Sequence, residues 1–228
     1  MLIIADHRLP ATVMDNLRKM GELLPFRSEN RVYEAIEGHP DIFLCSTPHG
    51  LVVSPNAPEY VKKRLKQHRI TMKTGIRDVG NEHPETVHYN AVATANFLIH
   101  NLSYTDETIL QSYNSDNKIF VKQGYTRCNL LALDKEHFIT SDKGIYSALA
   151  HRVKILYVSP EGIRLRNFDH GFIGGVAGVC QDTVYFSGNL NEFPEGERVR
   201  EFIDARRLKV VELYDGPLID GGGIFFLS

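Results

Sequence analysis

Apolar and polar positions along the chain fall into one order that recurs. In "DIFLCSTPHGLVVSPNAPEYVKKRLKQHRITMKTG", two short apolar runs flank the turn-like "TPHG", a polar stop follows at Ser54, and "ITM" returns after a helical segment. The order predicts strand, turn, strand, helix, strand. The helix is expected over residues 57–68, because Tyr60, Val61 and Leu65 share one face and lysines and arginines cover the other. Ser54 and Asn56 are its expected N-cap residues, since a short side-chain acceptor satisfies a free backbone amide there.

Three further stretches repeat the order. "HYNAVATANFLIHNLSYTDETILQSYNSDNKIFVKQG" predicts strands at 91–92 and 97–99, a helix at 107–112 and a strand at 118–121. In "RCNLLALDKEHFITSDKGIYSALAHRVKILYVS", residues 134–137 turn the hairpin, Ser141 is the expected helix cap and "VKILYV" is the return strand. In "GGVAGVCQDTVYFSGNLNEFPEGERVREFIDARRLKVVELYDG", Gln181 and Asp182 turn, Phe193-Pro194 precedes the helix and "LKVVEL" returns. The polar stops at Ser54, Asn101, Ser141 and Ser187 recur every ~40–50 residues, a period typical of supersecondary repeats.

The ends hold complementary fragments. The N-terminus offers the strand "LIIA", a stop at Asp6, a helix from Pro10 closed by Gly21, and a strand at 22–25; the C-terminus offers only opening strands in "PLIDGGGIFFLS". Joined, they make a fifth unit, and pairing the two ends removes open sheet edges. The expected fold is therefore α/β: one domain over residues 1–228, a ring of five strand-strand-helix-strand units closed by N- and C-terminal strands.

Composition narrows the function. At 228 residues the chain can bury ~70–75% of its unfolded surface without disulfides. Its three cysteines, Cys45, Cys128 and Cys180, form no CxxC pair and read as thiols of a reducing compartment. A net charge of −2 with interspersed signs excludes a basic field for nucleic acid or anionic lipid, and the run "VKKRLKQHR" reads as the solvated face of a helix. No signal peptide or membrane-length apolar stretch is present, so a cytoplasmic protein is expected. The histidines show no metal-ligand spacing, and "HGFIGG" and "DGGG" match no phosphate loop; neither metal nor cofactor is expected.

With this repeat order and the C-terminal "GGGIFFLS", nearly the whole chain resembles the pentein, or guanidine-group-modifying enzyme, superfamily, which folds as a five-bladed α/β-propeller. That strand is similar to the GG-x-x-C-x-S/T strand on which deiminases, dimethylarginine hydrolases and amidinotransferases carry their cysteine. The chain more closely resembles uncharacterised bacterial proteins assigned to this fold. The resemblance implies a thiolate nucleophile, an acid/base histidine and carboxylates that hold a cationic substrate.

Phe226 stands where the cysteine is expected, and the family's His-x-Asp/Glu motif falls at His170, followed by Phe172 in place of a carboxylate and preceded by Asp169. Displaced candidates are Cys128, beside Arg127, and Cys45, with His49 four residues on; His170 or His49 would serve as acid/base. Asn90, Arg127, Asn129, Asp169, His170 and Asp220 are the candidate ligand-binding residues, suited to a small zwitterionic or guanidino metabolite. The expected function is non-hydrolytic small-molecule binding or protein interaction; the alternative is a hydrolase or transferase acting on a guanidino or amidine substrate.

Overall fold

A computed structural model describes residues 1–228. Its elements follow the predicted order: β1 (Leu2–Asp6), α1 (Ala11–Arg18) and β2 (Glu22–Phe26); β3 (Leu44–Thr47), β4 (Gly50–Val53), α2 (Glu59–Gln67) and β5 (Met72–Thr74). The next unit holds β6 (Val92–Ala93), β7 (Leu98–His100), α3 (Glu107–Leu110) and β8 (Lys118–Phe120). One further helical turn, α4 (Thr126–Asn129), leads into β9 (Leu130–Ala132), β10 (His137–Thr140), α5 (Lys143–Leu149) and β11 (Lys154–Tyr157). The chain ends with β12 (Ala177–Cys180), β13 (Thr183–Phe186), α6 (Gly196–Asp204), β14 (Lys209–Glu212) and β15 (Phe225–Leu227).

These strands form five three-stranded sheets of one design. In each, the first pair is antiparallel and the second parallel, the helix making the crossover. The sheet that contains β1 is assembled from both ends of the chain: β15 pairs antiparallel with β1 (Ile3 with Phe226, Ile4 with Phe225) and β2 pairs parallel on its other side. The apolar terminus is therefore ordered by cross-strand pairing.

Four helices are anchored by an apolar pair one turn apart, Val13/Leu17, Val61/Leu65, Ile145/Leu149 and Val199/Ile203, all buried. Residues four apart share a helix face, so such a pair suffices to seat a two-turn helix on its sheet. The polar stops also have a common structural use. Ser54, Ser141 and Ser187 donate their backbone N–H to Phe43, Asn129 and Val176, the residues just before the opening strand of each unit.

Two predicted caps are corrected. The side chains of Ser54 and Asn56 do not cap α2; the Ser54 hydroxyl donates to Asn56, whose amide is tied in both directions to the backbone of Val79. Asp142, not Ser141, caps α5, accepting from the Ile145 N–H at 2.7 Å. The Ser141 hydroxyl instead accepts from Ile173, in the next unit. No helix is long and apolar enough to cross a membrane.

Candidate functional site

The segments that enter the opening strands carry the polar interior. Asp41 stands three residues before β3, Asn90 two before β6, and Arg127 and Cys128 three and two before β9. In the last two units the corresponding positions are glycines. A Cβ at Gly175 would strike the Asp220 carboxylate, and one at Gly223 the Arg127 guanidinium. Three units thus supply side chains, and the other two leave room for them.

At the centre, the Cys128 thiol lies 3.1 Å from Asp41 Oδ2 and donates to it. Asn90 bridges the same point: its amide N–H reaches Cys128 Sγ at 3.3 Å, and its Oδ1 accepts from the Cys128 backbone. Arg127 Nη1 donates to the Gly222 carbonyl at 3.1 Å and to Asp41 Oδ2 at 3.4 Å, and its guanidinium lies 4.5 Å over the Phe225 ring. Burial and the nearby Asp41 carboxylate push the Cys128 thiol well above its ordinary pKa, so it is not a resting thiolate here.

Beside this group, His39 is buried with both ring nitrogens unpaired, and Asp41 Oδ1 also lacks a partner. His39 Nε2 sits 4.0 Å from both Asp6 Oδ2 and Asp220 Oδ1. Asp6, carried inward at the end of the fully buried β1, is neutralised by an Arg8 guanidinium 2.6 Å away. Asp220 accepts from the Gly222 and Phe172 N–H groups, and burial raises its pKa.

Two cavities meet the cluster without sharing a lining residue. One of about 260 Å³ is lined by the opening strand of every sheet, including Ser46, Val92, Leu131, Val179 and Phe226, with Arg127 in its wall. The other, about 150 Å³, touches Asp6, Arg8, Arg166 and Asp220. The first is mostly apolar with one cation; the second is charged.

The structure thus gathers Asn90, Arg127, Cys128 and Asp220 from among the sequence candidates. Asn129 is buried nearby in the chain, but its side chain donates to the Tyr125 carbonyl and stabilises its own turn. Cys45 is buried in β3 with its thiol near the Ala91 carbonyl, and burial pushes it up to about 12. His49 occupies the exposed β3–β4 turn, Asp169 is exposed, and half-buried His170 packs edge-on against Phe172. None of these three contacts the buried cluster. Phe226 lines the larger cavity and packs against Tyr185, with ring centroids 5.1 Å apart.

Sequence reasoning missed His39, Asp41 and Asp6. A signal was present, because His39-Pro40-Asp41 is itself a His-x-Asp pattern and ends three residues before the opening strand of a repeat. Asp6 carries no signal beyond its place as a polar stop after the first strand.

Residues 4–225 match a family described as a family of unknown function, DUF6873. No curated protein matches the sequence. Among solved structures, a cysteine-to-serine mutant of DDAH from Pseudomonas aeruginosa, complexed with citrulline, has a TM-score of 0.54 at 12% identity, covering 92% of this chain and 91% of that chain. That likeness is one of fold: α/β, with five small three-stranded sheets, as in the pentein-like architecture.

Proposed function

The chain belongs to DUF6873, a family of unknown function, and we propose that it is a five-bladed pentein-like α/β-propeller that binds a small zwitterionic metabolite without hydrolysing it. The ring reading is supported by the pairing of β15 with β1 and by a cavity lined from all five sheets. Arg127 in the wall of that cavity carries the functional reading. Its Nη1 is held by Gly222 and Asp41 and its face by Phe225, while Nη2 and Nε make no hydrogen bond within the protein.

A guanidinium fixed on one edge and free on the other suits a ligand carboxylate. The mostly apolar walls suit a short uncharged body, such as an aliphatic or ureido side chain. A guanidino group fits less well, because Asp41 and Asp6 already pair with Arg127 and Arg8. With Phe226 in the cavity wall, the thiol that the resemblance expects there is replaced by an inert ring.

A thermal-shift screen of amino acids, ureido acids and guanidino acids tests this reading. A ligand at 100 times its Kd adds about 2.7 kcal/mol of stability, which a melting curve resolves. The shift is expected to vanish in Arg127→Ala and in Ala132→Met, which narrows the cavity without removing the cation. A ligand that still stabilises both folded variants would place binding elsewhere.

The alternative, a hydrolase or transferase with Cys128 as displaced nucleophile, is favoured by one observation: the thiol is hydrogen-bonded to Asp41 near an unpaired His39. Release of ammonia or ureido product from arginine, agmatine or methylated arginines, lost in Cys128→Ala, would establish it. A cytoplasmic site of action is part of the proposal, consistent with unpaired cysteines.

A further inference from the structure

The buried cluster leaves a group of donors without a partner. One ligand atom from each of His39, Asp41 and Cys128 lies within 4.8 Å of the others, and all three residues are buried. Neither nitrogen of His39 has a hydrogen-bond partner, nor does Asp41 Oδ1. An unpaired polar atom in the interior costs roughly 1–3 kcal/mol, and a cation held by one His39 ring nitrogen and the Asp41 carboxylate relieves that cost at both residues.

We infer that His39, Asp41 and Cys128 form a binding site for a divalent transition-metal cation of the zinc class. The donor set is one imidazole nitrogen, one carboxylate oxygen and one sulfur, the mixture that selects zinc over magnesium or calcium. Bonds of about 2.0–2.3 Å place ligand atoms about 3.3–3.8 Å apart in a tetrahedral site, so an inward shift of about an ångström closes the present arrangement.

Formal charge points to a divalent ion. On binding, the thiol proton passes to solvent as the metal–sulfur bond forms, and the Cys128 thiolate and the Asp41 carboxylate then supply the two negative charges that a divalent cation balances. Asp220 lies outside the three-ligand group, with its Oδ1 4.0 Å from His39 Nε2, so the fourth position falls to a water molecule. The smaller cavity, lined by Asp6, Arg8, Arg166 and Asp220, lies on the Asp220 side of the group. The Asn90 amide already directed at Cys128 Sγ would orient the thiolate.

None of the three residues lines the Arg127 cavity, although Asp41 also holds Arg127, and the test of the metal site needs neither ligand nor turnover. Chelator-treated protein titrated with zinc chloride is expected to take up one equivalent per chain with a rise in melting temperature. Cobalt(II) in its place should give a thiolate-to-cobalt charge-transfer band and the visible bands of a four-coordinate ion. Cys128→Ser should remove that band and weaken uptake at least ~100-fold, whereas Cys45→Ser and Cys180→Ser should keep both.

Should Cys128→Ser fail to fold, X-ray absorption of the zinc-loaded wild type reads the same point, with one sulfur among nitrogen and oxygen neighbours expected. A sulfur-free coordination shell, a charge-transfer band that persists in folded Cys128→Ser, or no stoichiometric uptake would overturn the assignment.

Discussion

Asp41 Oδ2 and Cys128 Sγ lie 3.1 Å apart although 87 residues separate them in the chain. This contact, not the C-terminal strand, brings sulfur chemistry to the interior. It joins the entry segments of two different repeats and seals the thiol from solvent.

Thiol reactivity should follow that burial. Cys180 is partly exposed, whereas Cys45 and Cys128 are buried and their thiols are pushed up by burial. Brief alkylation of the native protein followed by mass spectrometry is expected to label Cys180 alone, with the other two labelled only after unfolding. Rapid native labelling of Cys128 would contradict its placement.

The terminal strand should be indispensable. Removing residues 222–228 deletes β15 and the buried Phe225, and leaves Leu2, Ile3 and Ile4 without their antiparallel partners. Truncating a buried Phe to Ala alone costs about 3–5 kcal/mol, so loss of the whole strand is expected to abolish cooperative melting by circular dichroism. An unchanged melting curve would refute the role of β15.

Gly223 should not tolerate a side chain. Its φ is +76°, and a Cβ there would run into the Arg127 guanidinium. Gly223→Ala is expected to lose roughly 1–3 kcal/mol in urea denaturation, because strain and collision act together. Gly216→Ala, at a glycine without positive φ, separates the terms: the neighbour a Cβ would meet there is the ring of the Tyr214 side chain.

His100 should make the protein acid-sensitive in a defined window. It is buried, Nε2 donates to the Gly124 carbonyl at 2.7 Å, and burial lowers its pKa from 6.5 to about 4. The unfolded chain therefore takes up a proton first as pH falls. The His100 contribution is fully present above pH 6.5 and is lost on acidification toward pH 4, by up to about 3 kcal/mol. Urea midpoints at pH 7 and pH 4.5 should show this loss, and a folded His100→Gln variant should show less of it.

The repeat was legible because each unit carries its own local signals. Val61 and Leu65 mark a helix face, Gln181 and Asp182 mark a hairpin, and both take the predicted structure. The helix caps were less legible, since Ser54 and Ser141 are good cap residues by type yet are drawn into bonds between segments. Asn90, Arg127 and Asp220 are legible from their place before opening strands and Cys128 from its neighbour Arg127, but the same positional reading also takes in His49, Asp169 and His170, which lie away from the buried cluster.

The sequence by itself determined the strand-strand-helix-strand repeat, the completion of the first sheet by the last strand, and the lack of a cysteine at position 226. These depend on periodicity, turn chemistry and residue identity, which are local. Tertiary structure alone decided that His39 and Asp41 face Cys128, that Arg127 is held by Asp41 while lining a cavity, and that His49 and Asp169 stay outside. Side chains from separate repeats meet only when the opening strands converge, and the distances among them are set by packing rather than by spacing along the chain.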